Sequence, residues 1–234
     1  MQKQTIILSV DQANDMNAYV ASPANINGCP AILVFQEAFG VNNHIKKLAE
    51  KIAEEGYVAI APELFHRTAL PGTTISYADF DAVKPHLSVL TIDGLIADIE
   101  STYNWLLQNQ QVIKSKIGAV GFCLGGRVSF LANAVLPLAA SVSYYGGSIQ
   151  TMTDKAIDLH APQLFFWGGL DKHILPKHRE TIANALDDAG KEYISTVISY
   201  ADHGFNCDER TAYNPKAAKE AWAMTSAFLK NNLG

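Results

Sequence analysis

The chain has 234 residues, a formal net charge of −5 and a pI near 5.8, and 48% of its residues are hydrophobic. That composition excludes a disordered chain, and the mild acidity argues against nucleic acid as the main partner, since phosphates need a basic stripe. No apolar run reaches the roughly 18 residues that span a bilayer, and "MQKQTIILSV" carries no signal-peptide core, so a cytoplasmic protein without membrane attachment is expected.

The predicted elements alternate. Two β-like stretches, Thr5–Val10 and Asn17–Ala21, flank the turn-forming "DQAND" and suggest a hairpin. "AILVF" (31–35) is a continuous apolar run, as expected of a central strand buried on both faces. "NNHIKKLAEKIAEEG" follows, with Ile45, Leu48, Ala49 and Ile52 on one helical face and Gly56 as its stop. A buried strand is predicted at Tyr57–Ala61. The stretch 63–89 then breaks the rhythm. Long irregular insertions of this kind serve as lids or pocket walls, and a short helix is expected near "YADFDAV". "TIDGLIADIESTYNWLLQ" turns Ile92, Leu95, Ile96, Ile99, Tyr103 and Leu106 to one face.

Four further strands are predicted at Ile117–Phe122, Ala139–Tyr145, Gln163–Trp167 and Ile194–Tyr200, all read as buried runs. Helices follow at "GRVSFLANA", at "PKHRETIANALDDAG" with its leading proline and closing Gly190, and at "NPKAAKEAWAMTSAFLKNN", where Asn214 caps and Pro215 begins the turn. No repeat or linker divides the chain. The expectation is one α/β domain, with a mostly parallel central sheet flanked by helices on both faces.

Three positions carry chemistry. Gly121-Phe122-Cys123-Leu124-Gly125 is a G-x-C-x-G turn between a buried strand and a helix. A serine in that setting is the exposed nucleophile of a strained elbow. A thiol there sits at a helix N-terminus, whose partial positive charge favours the thiolate. Read alone, Cys123 is equally a small inert residue in a tight turn. Asp171 follows the "QLFFW" strand, where a carboxylate is placed to orient an imidazole. His203, in "SYADHGFN", lies between the last strand and the last helix. Nucleophile, acid and histidine thus fall in the chain order such hydrolases use, each after a different strand. His44, His160 and His178 read as surface positions, and His66 and His86 as possible pocket lining. His173 lies too near Asp171 in sequence to face both that carboxylate and the thiol. Cys207 reads as packing. With Cys29 it completes an odd, non-metal set of three cysteines, expected to form no disulfide. An oxyanion hole needs fixed N–H donors: Leu124 after the nucleophile, and Glu37 or Ala38 in "QEAFGVN".

These residues resemble the dienelactone hydrolases, a cysteine-using branch of the α/β-hydrolase fold. The resemblance runs along nearly the whole chain through "FQEAFGVN", "GYVAIAPELFHR", "VGFCLGG", "SYYGG", "WGGLDKHILP" and "ADHGFN". It implies a Cys123–His203–Asp171 triad, an acyl-thiol intermediate, no cofactor, and a Glu37 that governs the resting thiol. A free thiol titrates at about 8.5 and needs such help. The other reading of Glu37 is a carboxylate paired with Arg127. The resemblance also implies hydrolysis of a 4-carboxymethylenebut-2-en-4-olide to maleylacetate. The arginines that hold the substrate carboxylate in the pathway enzymes are not in register here. Arg67, Lys84 and Arg210 are the candidates, with Tyr145 in the pocket wall. The partner is a small-molecule ester or lactone, and the protein a monomer or small homo-oligomer. Two rivals stay open: another ester or thioester substrate, and a thiol-sensing protein that turns over nothing.

Overall fold

The computed structural model describes residues 1–11, 14–24 and 28–234. Eight strands stand in the order β1-β2-β4-β3-β5-β6-β7-β8. The chain divides into two compact units, Met1–Ile117 and Gly118–Gly234.

In the first unit β1 (Gln2–Ser9) and β2 (Asp15–Ser22) form an antiparallel hairpin, registered from Gln2 against Ser22 to Ser9 against Asp15. Gln12 and Ala13 of the expected turn lie outside the described residues. β2 runs antiparallel to β4 (Val58–Pro62), and β4 parallel to β3 (Cys29–Phe35). β3 is fully buried from Ala31 onward, as its unbroken apolar run requires. α1 (Asn43–Glu54) is capped by Asn42, whose side chain accepts the Ile45 N–H, and it packs on β2, β3 and β4. It buries the four predicted residues together with His44, which is only 4% exposed. His44 is therefore not the surface residue expected, because it lies next to Ile45 at the edge of the buried face.

The insertion holds α2 (Phe80–Ser88), shifted from the predicted 77–83 because the Asp79 side chain caps it at the Ala82 N–H. The segment folds back on the β3–α1 loop. The Ile75 N–H donates to the Phe39 carbonyl (3.1 Å), Asn42 Nδ2 donates to the Tyr77 hydroxyl (2.9 Å), and the Phe39 and Tyr77 rings lie 4.5 Å apart.

α3 (Ile92–Gln108) buries Leu95, Ile99, Tyr103 and Leu106 as predicted, but Ile92 is exposed. The same face carries a carboxylate that periodicity did not reveal. Asp98 is fully buried and accepts from Arg67 Nη1 (2.9 Å) and Nη2 (2.8 Å), with His66 Nε2 at 3.0 Å. Removing one partner of a buried ion pair leaves the other uncompensated. Asp98→Ala is therefore expected to cost about 3 kcal/mol of stability, measured as a lower urea midpoint at unchanged slope.

In the second unit β5 (Val112–Phe122, begun in the first), β6 (Ala140–Tyr144), β7 (Gln163–Gly168) and β8 (Tyr193–Ile198) are successively parallel. α4 (Leu124–Val135), α5 (Pro176–Asp188) and α6 (Pro215–Leu233) lie between and after them, with short 3₁₀ turns at Ile149–Thr151 and Thr153–Asp158. α4 is buried almost throughout, and its Ser129 and Asn133 side chains are satisfied, while the Arg127 Nε is buried without a hydrogen-bond partner. Ser129 donates to the Val142 carbonyl, and Asn133 exchanges bonds with Ala161. β8 corrects an expectation: Ile194 and Val197 are 47% and 48% exposed. β8 is the last strand of the sheet, so one of its edges has no neighbour and its apolar side chains are covered less. None of the three cysteines is in a disulfide. Among the described residues no helix is long and apolar enough to cross a membrane.

Candidate active site

Between the end of β5 and the start of α4 a single residue, Cys123, turns the chain. Its φ of 54° and ψ of −111° place it where a non-glycine residue is strained. The surroundings leave no alternative. A Cβ on Gly121 would lie 1.8 Å from the Gly125 carbonyl oxygen, and one on Gly126 would lie 2.8 Å from Gly146 Cα. Strand and helix therefore approach closely only because both positions are glycine. The Cys123 N–H donates to the Tyr144 carbonyl (3.0 Å), and its own carbonyl accepts from Gly126 (3.0 Å) and Arg127 (3.3 Å). The Leu124 N–H opens α4, in the turn where helical N–H groups lack intrahelical acceptors.

A second pair of glycines brings the acid and the histidine together. After β7, a Cβ on Gly168 would lie 2.7 Å from the Ala201 carbonyl oxygen, and one on Gly169 would lie 2.5 Å from Ser199 Cα. The β7–α5 and β8–α6 loops thus lie against each other, tied by Gly169 N–H to Ile198 (2.8 Å) and Leu170 N–H to Ala201 (2.9 Å). Asp171 and His203 stand on these two loops. His203 Nδ1 is 2.8 Å from Asp171 Oδ2, and His203 Nε2 is 3.1 Å from Cys123 Sγ. The other carboxylate oxygen of Asp171 accepts the N–H groups of His173 (2.7 Å) and Ile174 (3.1 Å). Ring contacts bound His203 further: Tyr145, fully buried at a φ of 40°, at 5.2 Å, and His173, exposed, at 5.5 Å.

The electrostatics follow from this packing. Burial by itself would lower the His203 pKa, but the charge of Cys123 and the bonds to Asp171 and Cys123 outweigh it and raise the value to about 10. Burial would raise Asp171, yet His203 and the two N–H donors hold it below the usual carboxylate range. The sign is testable. His203 should keep its proton as pH rises through the ordinary histidine range and lose it only near pH 10. In Cys123→Ala, which removes the foremost raising cause, the midpoint should fall. A ¹³Cε1 NMR titration reads both, and an unmoved midpoint would contradict the coupling.

The other predicted residues lie as follows. Glu37 and Ala38 are buried in the β3–α1 loop at 0% and 4% exposure, and the loop is held by the Gln36 side chain, which donates to the Glu37 carbonyl and accepts the Leu64 N–H. Arg67 is engaged by Asp98. Lys84 is exposed and paired with Asp81 at 2.5 Å. Arg210 packs on Gly204, where a Cβ would lie 2.4 Å from its Nη1, one residue from His203. A cation considered earlier only as a partner for Glu37 also belongs here. Arg127 lies four residues after Cys123, one helical turn on. Burial lowers its pKa and the Cys123 charge opposes that.

A family model described as "Dienelactone hydrolase family" matches residues 16–233. A "Putative carboxymethylenebutenolidase" of Synechocystis sp. is 31% identical over 244 residues, covering 99% of this chain and 98% of that protein. Its namesake in Yersinia pestis is 35% identical over 222 residues, covering 90% and 82%. The crystal structure titled "Putative Dienelactone Hydrolase" from Klebsiella pneumoniae superposes with a TM-score of 0.86 at 32% identity, covering 98% of this chain and 99% of that one. The chain belongs to the dienelactone hydrolase family, hydrolases of ester and lactone bonds on the α/β-hydrolase fold.

Proposed function

We propose that this protein hydrolyses a small ester or lactone through Cys123, His203 and Asp171. The observation that carries the reading is the unbroken chain Asp171 Oδ2–His203 Nδ1 and His203 Nε2–Cys123 Sγ, with Cys123 held in a strained turn. Cys123 Sγ attacks the carbonyl carbon, and the oxyanion is met by the Leu124 N–H. The C–O bond to the alcohol breaks as the imidazolium of His203 protonates the leaving oxygen, which leaves an acyl-thiol. His203 then takes a proton from water, the hydroxide attacks the acyl carbon, and the thiolate departs. Asp171 holds the imidazole in the required tautomer. No cofactor enters these steps.

A butenolide bearing a carboxylate is the substrate that the family suggests. Of the three cations considered for that carboxylate, Arg210 packs on Gly204, the residue next to His203, and is the proposed carboxylate contact, with Tyr145 a wall beside His203. Within the first unit the insertion 63–89 is bonded to the β3–α1 loop rather than standing free of it. The proposed setting is the cytoplasm.

Steady-state hydrolysis of the dienelactone and of p-nitrophenyl acetate, with Cys123→Ala beside wild type, tests the reading. Turnover of either compound that disappears in the variant is expected. Turnover that persists in the variant, or no turnover of either while peroxide oxidises Cys123 readily, would favour the thiol-sensing alternative.

A further inference from the structure

Both ring nitrogens of His203 are engaged, Nδ1 with Asp171 and Nε2 with Cys123. Its remaining ring contacts differ in kind. Tyr145 is fully buried, whereas His173 is exposed and meets the His203 ring at 5.5 Å and 77°. His173 is thus the aromatic neighbour of His203 that solvent reaches. The placement is held in common with Asp171. One carboxylate oxygen orients His203, and the other accepts the backbone N–H of His173 at 2.7 Å. The loop that sets the acid therefore also sets His173.

We propose that His173 is a specificity-determining residue of this site, a hydrogen-bond donor beside His203 that recognises a carboxylate or similar acceptor on the substrate. An imidazole carries at least one N–H in either protonation state, and both nitrogens of the charged form donate. Its neighbour Lys172, also exposed, adds a full positive charge to the same turn. On a chain with a net charge of −5, an anionic ester needs such local cations. His173 would act with Arg210 from the opposite loop rather than in its place. The assignment rests on Cys123 being the reacting thiol.

Two substitutions separate recognition from packing. His173→Phe keeps a ring against His203 and removes the donor, while His173→Gln keeps a donor. The probes are p-nitrophenyl hemisuccinate and p-nitrophenyl butyrate, which share a leaving group and differ in a carboxylate. The ratio of their kcat/KM values is expected to fall about tenfold in His173→Phe, mainly through KM of the hemisuccinate, and to stay within about threefold of wild type in His173→Gln. A ratio in His173→Phe within about twofold of wild type would overturn the proposal. So would an equal fall in kcat for both esters, which would mean that His173 acts only through the placement of His203. A binding readout keeps this distinct from failure of the hydrolase reading. The concentration of monomethyl succinate that half-protects Cys123 from iodoacetamide should rise about tenfold in His173→Phe whether or not any ester turns over. Unchanged protection would equally overturn it.

Discussion

Asp171→Asn is expected to lower kcat by about 10⁴-fold with the fold intact. The carboxylate has two tasks. Oδ1 accepts the N–H groups of His173 and Ile174, and Oδ2 faces His203 Nδ1. An asparagine has one acceptor oxygen. If that oxygen keeps the two loop bonds, its NH₂ group points at Nδ1 and forces the proton onto Nε2, so the imidazole can no longer take a proton there. If the amide turns the other way, the loop loses its anchors. The first arrangement keeps more hydrogen bonds, so the expected result is a folded protein with the wrong tautomer. The His203 pKa should fall as well, since two of the causes that raise it belong to Asp171. Steady-state kinetics with a thermal melt checks this. A loss below about tenfold in kcat would mean that Asp171 does not orient the imidazole.

Gly121→Ala is expected to cost more than about 4 kcal/mol, or to prevent folding altogether. The added methyl would lie 1.8 Å from the Gly125 carbonyl oxygen and 2.2 Å from its carbonyl carbon, which are backbone atoms at the start of α4. Relief requires the helix to move away from the strand. That movement would break the bonds from Gly126 and Arg127 to the Cys123 carbonyl, which hold the strained residue in place. Gly147→Ala is the matched control: a Cβ there meets nothing within 4 Å, and stability should change by less than about 0.5 kcal/mol. Urea denaturation of the pair reads the difference. A Gly121→Ala protein within about 1 kcal/mol of wild type would refute this geometry for the elbow.

Much of the fold was legible because its signals are local. The run "AILVF" spells a strand buried on both faces, and β3 is buried from Ala31 to Phe35. Asn214 and Pro215 announce the start of α6, where the Asn214 side chain does accept the Ala217 N–H. The elbow was readable from its glycines, since a strand–turn–helix junction this close tolerates no Cβ at Gly121 or Gly126. The chain order of Cys123, Asp171 and His203 pointed to the loops after β5, β7 and β8, which a parallel sheet brings to one end, and there the three side chains meet.

Where the reading stopped, the missing information was about neighbours. Ile194 and Val197 have the composition of a buried strand, and only the position of β8 at the edge of the sheet leaves them exposed. His44 and Asp98 look like surface residues in sequence. Their burial depends on what packs over them, and for Asp98 on an arginine and a histidine 31 and 32 residues away. The same holds for the cations. Arg67, Lys84 and Arg210 look alike in sequence, and only the structure shows Arg67 against the buried Asp98 and Arg210 against Gly204. His173, set aside for standing too near Asp171, meets His203 through its ring while its backbone holds the same carboxylate. By itself the sequence determined which segments are strands and helices, where the elbow turns and which three residues stand at the ends of its strands, because these depend on periodicity, turn chemistry and the absence of a Cβ. The tertiary structure alone decided which charges are already neutralised and which side chains face His203, because desolvation and pairing are set by atoms far apart in the chain.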